Sequence, residues 1–373
     1  MTHAYLNEIG TAVPANESQQ EFLATLDSWI PNPEVVNKLR LIARRSGIER
    51  RHTVLTNVLG TPGSGAFYEI NNFPSTAARM EVYQAEAPKL AEQAARALEA
   101  RGVDLATITH LVITSCTGFY APGLDVDLIR LLNLPRGVRR TIVGFMGCYA
   151  GITGLRTASD IVRADPEARV LMINLELCTL HLQQDAPLDR LVASMLFSDG
   201  CAAALISAKP AGFRLDDFST ILSLDDADKM SWLVADQGFA MTLDAAIPDR
   251  IRDFLSRDPE LFAAAKRDPQ SLWAIHPGGR AILDAVKGAC GLSTEQVAPA
   301  RKVLANCGNM SSAAVIFVFE ELLRSTAPDS PRPGAAVAFG PGLTVEALEF
   351  TYVPNAGVAP RALLADQPAA CLR

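Results

Sequence analysis

The amino-acid sequence predicts an α/β fold made of two similar halves. Short apolar runs rich in β-branched residues alternate with amphipathic or apolar helix patterns along most of the 373 residues. Strands and helices that alternate in this way form sheets whose two faces are both covered by helices. The second part of the chain repeats the rhythm of the first. We therefore predict a layered, duplicated arrangement in which residues 1–212 form one half and residues 213–373 the other, with the functional site where they meet.

The elements of the first half follow from their local patterns. A short apolar opening leads into helical stretches, and glycines and prolines mark residues 53–77 as a long loop. Ser75 has the side chain of an N-cap for the next helix, and Pro88 predicts the start of a second helical segment. Strands are predicted at 110–116, 141–145, 168–177, 198–207 and 213–224, and helices at 125–134 and after Cys148.

The second half contains the same kinds of element. Strands are predicted at residues 271–276 and 302–307, each followed by a helix. Residues 334–353 read as a hairpin of two strands turned by glycines. The alanine- and proline-rich residues after Tyr352 predict a loosely ordered tail.

Composition excludes several classes of function. A net charge of −7 argues against sequence-independent nucleic-acid binding, which needs a basic surface. No apolar run approaches the roughly 20 residues that span a bilayer, and the N-terminus lacks the pattern of a signal peptide. Seven cysteines without paired spacing are typical of a reducing compartment, and no metal-binding motif is present. We expect a cytoplasmic protein with no nucleic-acid partner, no integral membrane segment and no metal.

Three separated segments each place a chemically useful residue at a predicted strand-to-helix turn. These residues are Cys148, His276 and Asn309. A thiol just before a helix meets the partial positive charge of the helix N-terminus, which favours the thiolate. A histidine and a carboxamide in the same pocket supply two hydrogen-bond donors for a developing oxyanion. The combination suits acyl transfer through a thioester, followed by carbon–carbon bond formation.

Each of these residues also has a purely structural alternative. A cysteine among small apolar residues is most often a buried hydrophobe. His276 could end a strand and be held by backbone groups, and Asn309 could cap the helix that follows it. Ser311 or Ser312 could provide that cap instead and leave Asn309 free.

Five segments, in order and within residues 5–350, resemble one known family. They read GFMGCYAGITGLRTA, SMLFSDGCAAALI, IHPGGRAILDAV, GNMSSAAVIFVFEEL and FGPGLTVEALEF. Together they resemble the type III polyketide synthases, the chalcone synthase-like family, in its bacterial alkylpyrone and alkylresorcinol synthase form. The resemblance implies a thiolase-like fold of five αβαβα layers and a homodimer. It also implies acyl-CoA and malonyl-CoA as substrates, and no cofactor beyond these thioesters.

The resemblance also implies roles for single residues. Cys148 matches the nucleophile that takes the starter acyl group, and His276 would hold it as a thiolate in an ion pair. His276 and Asn309 would together bind the malonyl thioester carbonyl. Phe197 matches an aromatic residue that favours decarboxylation, although a phenylalanine ending an apolar run is usually part of a core. Lys38 and Arg45 match residues that bind CoA phosphates, whereas the basic run at 38–51 could equally be a solvated helix face.

Substrate-binding positions are implied at Cys116, Cys178, His181, Met241 and Ser311. The first three stand where plant members carry hydroxyl residues, and Met241 aligns with a gatekeeping phenylalanine. These replacements add soft, adaptable side chains, so we predict a pocket for an aliphatic starter. Simple packing is the alternative for Cys116, Cys178 and Met241, because pocket walls are also core walls.

The predicted function is therefore iterative extension of an acyl-CoA starter with malonyl-CoA, then cyclisation to a pyrone or resorcinol. One alternative is a single-round condensing enzyme of the ketoacyl-ACP synthase III type, which uses an acyl carrier protein. Another is a non-catalytic homologue that binds acyl-CoA. The complete set of Cys148, His276 and Asn309 argues against the second, because binding alone does not require a thiol.

Overall fold

The computed structural model describes residues 2–184, 187–258, 260–325 and 329–354. Within them the strands are β1 (Ala4–Ala12), β2 (Asn16–Glu17), β3 (His52–Thr53), β4 (Leu59–Gly60), β5 (Tyr68–Glu69), β6 (His110–Ser115), β7 (Arg139–Gly144), β8 (Val170–Leu177), β9 (Asp199–Ser207), β10 (Gly212–Leu222), β11 (Met230–Ala235), β12 (Gly238–Leu243), β13 (Leu272–Ile275), β14 (Arg332–Gly340) and β15 (Thr344–Val353). The helices are α1 (Gln19–Trp29), α2 (Pro33–Arg45), α3 (Thr76–Glu99), α4 (Leu124–Leu131), α5 (Ala150–Ala164), α6 (Leu188–Leu196), α7 (Ile247–Arg257), α8 (Ala263–Arg267), α9 (Arg280–Cys290), α10 (Thr294–Cys307) and α11 (Ala314–Ser325). Short 3-10 turns occur at Leu105–Thr107, Cys178–His181, Leu224–Asp226 and Ser311–Ala313.

Nine strands form one mixed sheet in the order β13-β14-β15-β10-β1-β9-β8-β6-β7. From the central antiparallel pair of β1 and β10, both halves repeat one pattern outward: two antiparallel neighbours, then a parallel one. Strand β7 extends only the N-terminal side. This is the pairing expected of two duplicated halves. The predicted boundary falls at the start of β10 and stays a prediction.

Helices cover both faces of the sheet. Helix α5 contacts β6 and β8 of one half and β14 and β15 of the other, and it also touches α11. Helix α3 packs on β1, β8 and β9, while α8 and α10 pack on β14 and β13. The predicted strands at β6, β8, β9, β10 and β13 and the β14–β15 hairpin are confirmed.

Strand β8 shows why the chain is so apolar. Val170 and Met172 face the central core around α5, whereas Leu171 and Ile173 face the core around α3. Successive side chains of a strand point to opposite faces, so a strand covered on both faces is mostly apolar. The continuous run that predicted this strand follows from that burial.

The prediction of a strand at residues 302–307 is wrong, because these residues are the last turns of α10. Ser293 begins that helix with a capping box to Gln296. Val303, Leu304 and Cys307 then fall on one buried helix face. A six-residue stretch with four apolar residues does not distinguish a buried strand from one face of a buried helix. The residue after this segment, Asn309, therefore follows a helix and not a strand.

The predicted start of a second segment at Pro88 is also wrong, because Pro88 lies inside the single 24-residue helix α3. Ser75 does cap the helix, as predicted, by accepting a hydrogen bond from the Ala78 amide. Packing of α3 on three strands outweighs the single backbone hydrogen bond that proline removes. Of the loose tail predicted after Tyr352, Val353 still belongs to β15, and residues 355–373 lie outside the described residues.

Candidate active site

Cys148 lies in the turn between β7 and α5, two residues before the helix begins. The turn depends on Gly147, whose φ is +85°. A Cβ on Gly147 would lie 2.4 Å from Cδ of Pro341, so the glycine loop between β14 and β15 packs directly against this turn. The thiol is buried, and it lies where the partial positive charge of α5 favours an anion.

His276 follows the last residue of β13 and is held by its backbone, whose N–H donates to the carbonyl of Val337 at 2.8 Å. The imidazole is only 2% exposed. Neither Nδ1 nor Nε2 has a hydrogen-bond partner among the described residues. Buried polar atoms without partners are rare in folded proteins, so this ring is available to a substrate or to the thiol.

Asn309 lies between α10 and α11. Its backbone N–H donates to the Leu196 carbonyl, and its own carbonyl accepts from the Ser198 N–H, both at 2.9 Å. In the side chain, Oδ1 accepts from the Ser311 N–H at 2.9 Å and Nδ2 donates to the Gly278 carbonyl at 3.3 Å. The oxygen makes the local bond that the capping alternative suggested. The second Nδ2 hydrogen is not taken by the backbone, and Asn309 hydrogen bonds the Cys148 thiol.

These contacts bring the three segments together. The Asn309–Gly278 bond joins the asparagine to the loop after His276, and the backbone bonds of Asn309 flank Phe197 on both sides.

Burial raises the pKa of the Cys148 thiol to about 12, although hydrogen bonds from Ser311 and Asn309 oppose that rise. Burial lowers the pKa of His276 to about 3. Both shifts favour a neutral thiol and a neutral imidazole at rest, so the ion pair stays a prediction.

A cavity of about 900 Å³, its open mouth included, extends from the thiol. Seven of the predicted residues line it, namely Cys116, Cys148, Cys178, His181, Phe197, Met241 and Ser311. His276 and Asn309 are not part of that lining. Lys38 and Arg45 are exposed on α2, outside the cavity.

Sequence reasoning missed Glu176, a carboxylate in β8 with no exposed surface. It accepts hydrogen bonds from the Cys116 N–H at 3.0 Å, the Thr117 hydroxyl at 2.8 Å and the Ser312 hydroxyl at 2.5 Å. The Cys116 sulfur also lies 3.1 Å from Glu176 Oε1 and 3.4 Å from Ser311 Oγ. Burial raises the pKa of Glu176. A chain of polar contacts thus runs from Glu176 through Cys116 to Ser311, the serine that hydrogen bonds Cys148. A charged residue inside a strand that is otherwise predicted to be buried could have pointed to Glu176.

The β11–β12 hairpin, also missed, forms a wall of the cavity. His181 donates from Nε2 to the Thr117 carbonyl at 2.7 Å and accepts at Nδ1 from the Phe239 N–H at 3.0 Å. Its ring stacks on Phe239 with centroids 4.2 Å apart. Trp232 donates from Nε1 to the Cys116 carbonyl at 2.7 Å. The wall therefore keeps aromatic bulk at Trp232 and Phe239, which the sequence patterns did not reveal because the hairpin places them.

The described part of the chain shows no cluster of His, Cys, Asp or Glu that could hold a metal ion. Over the same residues, none of the helices combines the length and the apolar character needed to cross a bilayer.

Two family models match the chain in succession. The N-terminal domain of chalcone and stilbene synthases matches residues 2–210, and their C-terminal domain matches residues 225–354. The chain belongs to the chalcone and stilbene synthase family. It is an acyltransferase that builds polyketides, and its family uses CoA thioesters as substrates without a bound cofactor.

The structure of this family member is similar to solved structures of type III polyketide synthases. One is the C-terminal type III domain of Steely1, a type I/III hybrid from Dictyostelium, with 30% identity, a TM-score of 0.83, and coverage of 94% of this chain and 99% of that one. Another is PKS-I from the brown alga Ectocarpus siliculosus, with 28% identity, a TM-score of 0.85, and coverage of 95% and 99%. The thiolase-like fold predicted from the sequence is confirmed.

Proposed function

We propose that this polyketide synthase extends an aliphatic acyl-CoA starter with malonyl-CoA over several rounds and cyclises the product to a pyrone or a resorcinol. The supporting observation is one cavity whose lining joins Cys148 to the thiols of Cys116 and Cys178 and the thioether of Met241.

The first step is acylation of Cys148. The thiol proton passes to His276, whose two nitrogens have no other partner among the described residues. The sulfur attacks the starter thioester carbonyl and CoA leaves as the thiol, which gives an acyl-cysteine. The α5 N-terminus and the hydrogen bonds of Ser311 and Asn309 favour the sulfur anion at the moment of attack.

The second step is decarboxylation of malonyl-CoA. The bond from the α-carbon to the carboxylate breaks, CO2 leaves, and the electron pair forms an enolate on the thioester oxygen. His276 and the Nδ2 hydrogen of Asn309 that does not bond Gly278 donate to that oxygen, so they stabilise the transition state more than the substrate. Phe197 borders the cavity beside the thiol and keeps water from the carboxylate. The enolate carbon then attacks the acyl-Cys148 carbonyl and releases the cysteine for another round.

The starter preference rests on the walls around the thiol. Cys116, Cys178 and Met241 are soft side chains that pack against flexible apolar groups without demanding a fixed hydrogen bond. The polar groups of His181 are already bonded to Thr117 and Phe239, so they offer nothing to a phenolic starter. Aliphatic chains fit such walls better than hydroxylated aromatic ones do.

CoA binding and dimerisation also belong to this proposal. Lys38 and Arg45 are exposed on α2, where they would bind the phosphates of CoA.

A second copy of the chain would cover the edge strand β7, where Ile142 is 57% exposed and Phe119 is 60% exposed. Exposed apolar side chains along an unpaired strand edge are typical of an interface. Light scattering of Ile142→Glu beside the unaltered protein tests this, and an unchanged molar mass in the variant would contradict it.

Mass spectrometry of reaction products tests the proposal as a whole. Purified enzyme would receive malonyl-CoA with acyl-CoA starters of increasing length and with coumaroyl-CoA, and Cys148→Ala would serve as the control. We expect cyclic triketides or tetraketides from aliphatic starters, and none from the control. A clear preference for coumaroyl-CoA would contradict the starter assignment. Linear products formed only from carrier-protein thioesters would contradict the reaction assignment.

A further inference from the structure

One arm of the cavity contains two polar groups that the condensation mechanism does not use. We use the name side arm for the part of the lining formed by Ser18, Phe22, Arg51 and Val58. These residues come from the start of α1 and from the segments after α2, far in sequence from the catalytic loops.

Arg51 is 2% exposed and yet lines the side arm. Its Nη1 donates to the carbonyls of Ser194 at 2.6 Å and Phe197 at 3.0 Å, and its Nε donates to Gln19 Oε1 at 2.5 Å. Nη2 donates to none of the described residues, so its two hydrogens are left for a ligand.

No carboxylate lies within ion-pair distance of Arg51 among the described residues. Asp199 influences it from further away. The oxygens of Asp199 already accept from the amides of Val54 and Thr179 and from the Thr179 hydroxyl. The guanidinium therefore keeps an attraction for an oxygen that enters the cavity.

Ser18 is the second polar residue of the side arm. Its backbone N–H donates to the Arg51 carbonyl at 2.9 Å, so the two residues are in direct contact. Ser18 occupies the N-cap position of α1, but its hydroxyl caps nothing. The hydroxyl is buried and has no hydrogen-bond partner in the described structure. A serine that lines a cavity and leaves its cap unmade has its hydroxyl available to a ligand.

We propose that Arg51 Nη2 and Ser18 Oγ form a subsite for an acceptor oxygen on the far part of the acyl chain carried by Cys148. Phe22 and Val58 provide apolar walls for the carbons that precede this oxygen. The inference rests on the proposed function, since it needs an acyl-cysteine in the cavity.

Two parts of the substrate could supply the oxygen. Each condensation adds a ketone, so a growing chain brings acceptors into the cavity even when the starter is a plain alkyl group. A starter that ends in a carboxylate would bring its own acceptor. A chain ketone and a starter carboxylate would both accept hydrogen bonds from Arg51 Nη2 and Ser18 Oγ. The ketone would use the subsite during chain extension, whereas the carboxylate would use it during acylation of Cys148.

Ser18→Ala is the sharpest test, because it removes a hydroxyl that bonds nothing in the described structure. Two quantities would be measured: the rate of Cys148 acylation by intact-mass spectrometry, and the ratio of triketide to tetraketide products. Acylation would be followed with a plain acyl-CoA and with the ω-carboxy acyl-CoA of equal length. Ser293→Ala is the matched control, since it removes a serine N-cap far from the cavity.

If the subsite binds ketones, Ser18→Ala shifts the product ratio about threefold to tenfold towards triketide, the effect of one hydrogen bond, with both acylation rates unchanged. If it binds a starter carboxylate, acylation by the ω-carboxy thioester slows by a similar factor and the plain one does not. Whichever of these two quantities Ser18→Ala changes, the product ratio or the acylation rate of the ω-carboxy thioester, Arg51→Gln should change it in the same direction by a larger factor. Circular dichroism would check that the Arg51→Gln variant is folded.

Unchanged acylation rates and an unchanged product ratio in Ser18→Ala would overturn the inference. That outcome leaves the proposed function intact as long as the unaltered enzyme makes cyclic polyketides. An unaltered enzyme that makes no condensation product would instead count against the proposed function. Ser293→Ala should lower thermal stability without moving either quantity, which separates the subsite from a general effect of losing a serine.

Discussion

Two buried histidines border the catalytic region, and they differ in how their nitrogens are used. His181 has both nitrogens hydrogen bonded, one to the Thr117 carbonyl and one to the Phe239 amide. His276 has neither nitrogen bonded within the described residues. Burial lowers the pKa of both imidazoles to about 3. Burial and charge state therefore do not distinguish the two side chains, whereas their hydrogen bonds do.

The difference separates a structural role from a chemical one. A satisfied imidazole fixes its neighbours, and His181 in this way attaches the β11–β12 hairpin to the residues beside Cys116. An unsatisfied imidazole in the interior destabilises the folded protein, because its nitrogens have lost water and gained nothing. Such a group is available for proton transfer to or from a ligand. We expect opposite consequences when each histidine is removed.

Of the two histidine replacements, that of His276 should have the larger effect on activity. His276→Ala removes one of the two proposed donors to the enolate oxygen, so kcat should fall at least about 100-fold. It removes no hydrogen bond among the described residues, so the melting temperature should change less than it does on replacement of His181. Steady-state kinetics and calorimetry of the purified variant measure both. Activity within tenfold of the unaltered enzyme would remove His276 from the mechanism.

Replacement of His181 should give the largest effect on stability. His181→Ala leaves the buried Thr117 carbonyl and Phe239 amide unpaired and loses the stack on Phe239, so unfolding should become easier by about 2–5 kcal/mol. Urea unfolding followed by circular dichroism measures this. His181→Gln is the matched control, because the glutamine amide offers a donor and an acceptor to the same two partners. A loss as large in the glutamine variant would show that the stack, and not the hydrogen bonds, holds the wall.

The sequence predicted the fold well, because strands and helices follow local patterns and the family resemblance follows motifs. The turn that holds Cys148 was predicted from a strand, two glycines and a helix, and β6 and β8 from runs of apolar residues. The strand predicted at residues 302–307 failed because a buried helix face and a buried strand look alike over six residues.

The walls of the cavity were less predictable. Trp232 and Phe239 reach the cavity because a hairpin folds back over Cys116, and no local pattern specifies that contact. Arg51 was seen only as one residue of a basic run. Its burial follows from carbonyls of Ser194 and Phe197 more than 140 positions away. Long-range placement of this kind is a property of the packed structure and leaves little trace in composition or periodicity.

The smallest predicted effect concerns pH and isolates His181. In the unfolded chain this histidine takes up a proton near its ordinary pKa of about 6.5, whereas burial keeps the folded side chain neutral down to a pKa of about 3. Its contribution to stability is therefore complete above about pH 6.5 and is lost as the pH falls towards 3. Between pH 7.5 and 5.5 the loss amounts to about 1.4 kcal/mol.

His181→Gln lacks this titration and keeps every other titrating group, including His276 and the buried Asp199. The free energy of unfolding, measured in urea at pH 7.5 and at pH 5.5, should therefore fall by about 1.4 kcal/mol more in the unaltered protein than in the variant. An equal fall in both proteins would mean that His181 accepts a proton while folded. The ring would then have to give up its bond from the Phe239 amide, because that amide needs an unprotonated Nδ1 as its acceptor. The contrast between a histidine that holds the wall and one that is free to react would then no longer rest on satisfied hydrogen bonds.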